Sequence, residues 1–189
     1  MMRVARWLPM LVAALILPAC GLQKRAAEQA LADVDAAYAQ IVDQARNVAP
    51  DQAQAIEDGI AAAKTTLAKG DTQAALTAAK DLTARIQTLA DALPDLQAKL
   101  QDDWNALAKT VPGALAALKK KLDDFGRPPA GMPSRAQFDS TAARLAPLGQ
   151  KWDEARSLSG SGHLAQAVPM AQAVKDEVVK LITSMQTGS

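Results

Sequence analysis

The chain has 189 residues, enough for one domain with a sizeable core or for two small helical units. Hydrophobic residues make up 49%, too many for a disordered chain, while aromatics make up only 3%; with alanine so abundant, close-packed helices are expected and not a sandwich or barrel. A formal net charge of +1 with basic residues scattered over several segments leaves no clustered basic surface, so no nucleic-acid partner is expected.

At the N-terminus, Arg3 and Arg6 precede an apolar stretch from Leu8 to Leu17, interrupted by Pro9 and followed by the small residue Ala19. A positive start, a short apolar run and a small residue are the three parts of a secretory signal. The run falls short of the roughly 20 residues that span a bilayer as a helix; a retained membrane anchor is the alternative. The tetrapeptide Leu17-Pro18-Ala19-Cys20 resembles the lipobox of bacterial lipoproteins, with Pro18 standing where that motif usually has a small residue. The resemblance implies a signal peptide over residues 1–19 and a mature envelope domain over 20–189. It also implies a diacylglyceryl thioether on Cys20 and an acyl group such as palmitate on the new amine, so that the membrane itself is a partner. Gly21, and not aspartate, follows the cysteine, which by the same resemblance implies the outer membrane, facing the periplasm. Cys20 is the only cysteine, so no internal disulfide can form; a buried structural thiol is the other reading. Losing Arg3 and Arg6 takes the formal charge from +1 to −1.

In the mature segment Ala27, Leu31, Val34, Tyr38, Ile41, Ala45 and Val48 recur at three- and four-residue steps, which predicts one helix over residues 24–48, stopped by Pro50. Only Gly21, Leu22 and Gln23 then separate the cysteine from helix. Asp51 can cap a second helix with the stripe Ile56, Ile60, Ala63 and Leu67, closed by Gly70. Asp71 caps a third, with Ala75, Ala79, Leu82, Ile86, Leu89 and Leu93 inward. Pro94 and Asp95 read as a turn before a fourth helix carrying Leu96, Leu100, Trp104, Leu107 and Val111. Pro112 opens a fifth with Leu115, Leu118, Leu122 and Phe125. Residues 126–134, GRPPAGMPS, cannot sustain a helix and form the one clear linker, a possible subdomain break. Ser134 can cap a sixth helix with Phe138, Ala142, Leu145, Leu148, Trp152 and Ala155, kinked near Pro147. After a turn at Gly160-Ser161-Gly162, the last helix carries Leu164, Val168, Ala171, Val174, Val178 and Leu181, with Pro169 a second possible bend. No segment alternates with period two over strand length. The expected fold is all-α, a helical bundle or stacked helical hairpins of about six or seven helices.

Residues 60–86 and 152–178 share a pattern at an offset of 92: Ala63, Gly70, Ala75, Leu76, Ala79, Leu82 and Ile86 against Ala155, Gly162, Ala167, Val168, Ala171, Val174 and Val178. Both read as a helical hairpin turned at glycine. The spacing resembles tetratricopeptide hairpins, although these helices are longer than that repeat and no third copy occurs.

No catalytic or cofactor constellation stands out. A zinc site needs several His or Cys ligands, and the chain has His163 alone besides Cys20. Gly160-Ser161-Gly162 lacks the frame of a nucleophile elbow. The pairs Asp102-Asp103, Asp123-Asp124 and Asp153-Glu154 point about 100° apart on a helix and do not converge by themselves. Lys119-Lys120-Lys121 lies on an amphipathic stretch that could suit an anionic membrane, though Asp123 and Asp124 dilute it. Two readings remain. The first is a non-catalytic, membrane-anchored accessory or assembly factor that holds an envelope protein partner, with no catalytic, metal or cofactor residues. The second is a helical bundle that binds or processes a small ligand through core carboxylates set beside Trp104 or Trp152.

Overall fold

The structure, a computed structural model, describes residues 17–124 and 135–185. Among these the protein is all-α, with no strand. Six helices follow in order: α1 (Leu17–Ala39), α2 (Val42–Val48), α3 (Pro50–Ala68), α4 (Thr72–Asp124), α5 (Arg135–Gly160) and α6 (Leu164–Ser184). They form two compact units, one of residues 1–42 and 51–90, the other of residues 43–50 and 91–189. The boundary at Ala90–Asp91 falls within α4; the linker expected at 126–134 lies outside the described residues, as does Phe125.

In the first unit, α1, α3 and the first part of α4 bury the stripes the periodicity marked. Ala27 and Val34 of α1, Ala53 and Ile56 of α3, and Ala75 and Ala79 of α4 are all at most 1% exposed. Alanine at so many of these positions lets helices approach closely. At Gly59 the approach is closer still: a Cβ there would lie 2.7 Å from Leu82 Cδ2. Tyr38, the chain's only tyrosine, spans two helices by donating its hydroxyl to Glu57 Oε1 (2.8 Å) and lying 3.3 Å from the Ala53 carbonyl.

The helix expected over 24–48 is divided at Gln40-Ile41, where i→i−3 bonds from Gln40 N–H to Ala37 O and from Ile41 N–H to Tyr38 O tighten the backbone into a turn. Its two ends serve different cores: Tyr38 packs in the first unit, while Ala45 and Ala49 are buried as part of the second. A periodic stripe shows which face is apolar but not which core receives it. The helical stretch does end at Val48, ahead of Pro50 as expected, and Pro50 itself occupies the first position of α3, where its missing N–H costs nothing.

The three helices expected between Asp71 and Phe125 are one, α4, which runs through Pro94 and Pro112. Each proline deprives one carbonyl, that of Ala90 or Ala108, of its i+4 donor but keeps a helical φ. The residues just before them, Leu93 and Val111, are 1% and 0% exposed, so core packing next to each proline offsets the lost hydrogen bond. Pro147 and Pro169 are likewise carried inside α5 and α6. In α5 the inward position is Thr141, 5% exposed, and not the neighbouring Ala142, which faces solvent. The period permits either residue, and Thr141 keeps the three-four spacing from Phe138 to Leu145. The second unit's core joins Leu107, Val111, Leu118 and Leu122 of α4 to Leu148, Trp152 and Ala155 of α5 and Ala171, Val174 and Val178 of α6.

The two glycine-turned hairpins share more than a residue pattern. After α3, Lys69 N–H bonds to Thr65 O, Gly70 N–H to Leu67 O and Asp71 N–H to Thr66 O, at 3.1, 2.9 and 3.2 Å. After α5, Ser161, Gly162 and His163 make the same three bonds to Ser157, Ser159 and Leu158, at 3.1, 3.0 and 2.9 Å. Crossed i→i−3 and i→i−5 bonds around a left-handed glycine define the Schellman cap, and φ is +89° at Gly70 and +86° at Gly162. A side chain there is strained by about 1–2 kcal/mol. Gly162→Ala should therefore lower stability by about 1 kcal/mol. Gly113→Ala, in mid-α4 with nothing within 4 Å of a new Cβ, should raise it by up to about 1 kcal/mol. Urea unfolding of the two variants checks the opposite signs.

Candidate functional site

Cys20 lies in the first turns of α1, which is already helical at Leu17. Gly21, Leu22 and Gln23 are thus not an extended tether. At 1.5 Å per residue they place Lys24 only about 6 Å along the axis from Cys20. Around this point Leu22 is 67% exposed, the most open large apolar side chain among the described residues, and Lys24 and Arg25 also face solvent. Lys24 stands 3.8 Å from Glu28, an exposed pair that contributes little. A groove of about 280 Å³ separates Gln23 and Lys24 from Leu67, Ala68, Gly70 and Thr72, so the α3–α4 turn and the start of α1 share one end of the first unit.

The residues with catalytic potential do not assemble. His163 precedes α6 without a side-chain cap, and its Nδ1 lies 3.2 Å from Ser161 Oγ. That hydroxyl donates to the carbonyls of Ser157 and Leu158, both at 3.0 Å, which ties it to the end of α5, whereas a serine nucleophile must be free to give its proton to the imidazole. The acidic pairs open onto the surface. Asp103 is held by Lys99 (2.7 Å), Asp124 by Lys120 (2.6 Å), and Asp153 lies 3.6 Å from Arg156. The Asp124 hydrogen bond and charge raise the pKa of the Lys120 ammonium above its ordinary value. Among the described residues no group of three His, Cys, Asp or Glu is placed to hold a metal ion.

Leu118 and Leu122, of the apolar side of the Lys119–Lys121 stretch, are buried in the second unit's core and so do not face outward. Trp104 and Trp152, separate in sequence, do come together: their rings stack at 5.5 Å with an interplanar angle of 17°. Trp152 is 8% exposed and Trp104 half-buried, and both pack with the core of the second unit. Their acidic neighbours in sequence, Asp103 and Asp153, take the surface pairs just described and are not turned onto the stack. A groove of about 610 Å³ runs along α5 and α6 between Ala143, Pro147, Lys151 and Val174. Arg144 and Glu177 close an ion pair of 2.6 Å across it, which neutralises most of its charge. Such a groove offers an apolar floor and no converging acid and base.

No protein family, no characterised protein and no solved structure matches the chain at significant similarity.

Proposed function

We propose that the protein is a bacterial envelope lipoprotein and a non-catalytic accessory or assembly factor, with Cys20 acylated after removal of residues 1–19. Its helical faces hold a protein partner at the outer membrane, on the periplasmic side. The observation that carries this reading is the sequence Leu17-Pro18-Ala19-Cys20, set directly after a basic start and a short apolar run and containing the chain's single thiol. Two features support it. Helix α1 runs on from the acylation point without a flexible spacer, which keeps the first unit at the lipid headgroups. No helix among the described residues is long and apolar enough to cross a membrane, which agrees with anchoring at the N-terminus.

A photo-reactive amino acid placed in turn at the exposed positions Ala62, Ala116 and Val179 in intact membranes tests the interaction role. A discrete adduct with one envelope protein is expected, weakened in the Cys20→Ser variant. Adducts with lipid alone from all three positions would overturn the role.

A further inference from the structure

Helix α1 carries Cys20 near its start, and Gln23 and Lys24, about one turn further on, border the groove against Leu67, Ala68, Gly70 and Thr72. The start of α1 and the α3–α4 turn thus lie at one end of the first unit. The tip of that turn is exposed Lys69. Its backbone has a counterpart to compare with: the turn after α5 makes the same three hydrogen bonds with Ser161 at the matching place, so the hairpin itself does not require a lysine there. The acids nearby are partly occupied. Glu28 stands near Lys24, and Asp71 Oδ1 accepts the Ala74 N–H at 3.0 Å, capping the positive end of α4. Lys64, further along α3, is held by Asp35 at 2.7 Å and is not counted. Lys24, Arg25 and Lys69 remain as the cations of this end.

We propose that the α3–α4 turn is a second membrane contact, in which Lys69, with Lys24 and Arg25, binds the headgroups of anionic lipid beside the acyl anchor. The proposal rests on acylation of Cys20. The anchor holds the turn at the surface, and the lysines then fix which way the first unit stands on it.

The full acylated protein, carrying Ala68→Cys and an environment-sensitive thiol dye, tests this in vesicles of phosphatidylcholine with and without phosphatidylglycerol. The Cys20 sulfur is consumed in the thioether, so the dye has a single site. With anionic lipid present the emission should shift to the blue and be quenched by headgroup-labelled nitroxide lipid. Lys69→Glu or high salt should remove the shift. In the unacylated protein lacking residues 1–20, Lys69→Ala should weaken vesicle binding roughly fivefold. Mass spectrometry of the same sample reads acylation separately. A chain without acyl groups overturns the anchor and this contact together. An acylated, vesicle-bound chain whose dye stays water-exposed in anionic vesicles overturns the turn contact alone.

Discussion

Cys20→Ser should abolish acyl labelling and leave the protein either as uncut precursor or free of the membrane. Transfer of diacylglycerol needs a thiolate, and a serine hydroxyl, which ionises far less readily, does not replace it. On the proposed reading, residues 1–19 should then stay attached, because the lipoprotein cut follows lipid transfer. The size of the change follows from the anchor. Each buried CH₂ contributes about 0.8 kcal/mol, and two or more chains make attachment effectively permanent where one is marginal. Labelling with radioactive palmitate should therefore fall to background, not by a fraction. A variant that is labelled and processed like the parent protein would refute anchoring at this residue.

The second large effect is internal. Leu118 is fully buried in a cluster with Val111, Leu148, Trp152, Val174 and Val178. Leu118→Ala removes three carbons, Cγ and its two methyl groups, from a site closed on all sides, and such losses cost about 2–5 kcal/mol. Against a total stability of about 5–15 kcal/mol for a typical domain, that is a large share. With a urea slope of about 2 kcal/mol per molar, the midpoint should drop by about 1.5 M. Tryptophan fluorescence reads this unit directly, because both tryptophans that follow Cys20 are the stacked pair beside the cavity. Leu22→Ala, at a side chain 67% exposed, should leave the midpoint unchanged. An unshifted midpoint in Leu118→Ala would mean that the cluster does not carry the unit's stability.

Helical periodicity made most of this fold legible, since the stripes through Ile56, Ala79, Leu118 and Val174 are buried as the spacing requires. What it misjudged were the places where a local rule met a tertiary one. Pro94 and Pro112 read as breaks, because the burial of Leu93 and Val111 that offsets them cannot be seen from a dipeptide. Between Phe138 and Leu145 the period fits Thr141 and Ala142 equally, and only the packing in the fold shows that Thr141 is the buried one. The division at Gln40-Ile41 leaves no mark in a stripe that continues across it. Of the candidate site, Cys20 and its flanking cations are visible in sequence. The approach of the Ala68–Asp71 turn to Lys24 is not, since it depends on how α3 returns along α1. Nor could the stacking of Trp104 on Trp152 be read from residues so far apart in the chain.

The carbonyl of Ala90, left without its donor by Pro94, sits at the boundary between the two units. Cooperative unfolding requires that opening one part of a chain raise the cost of leaving the next part closed. A helix transmits that cost rung by rung, and here a rung is missing at the junction. Each unit buries an apolar cluster of its own, so circular dichroism, which reads both, and tryptophan fluorescence, which reads the second, are expected to give separate unfolding midpoints.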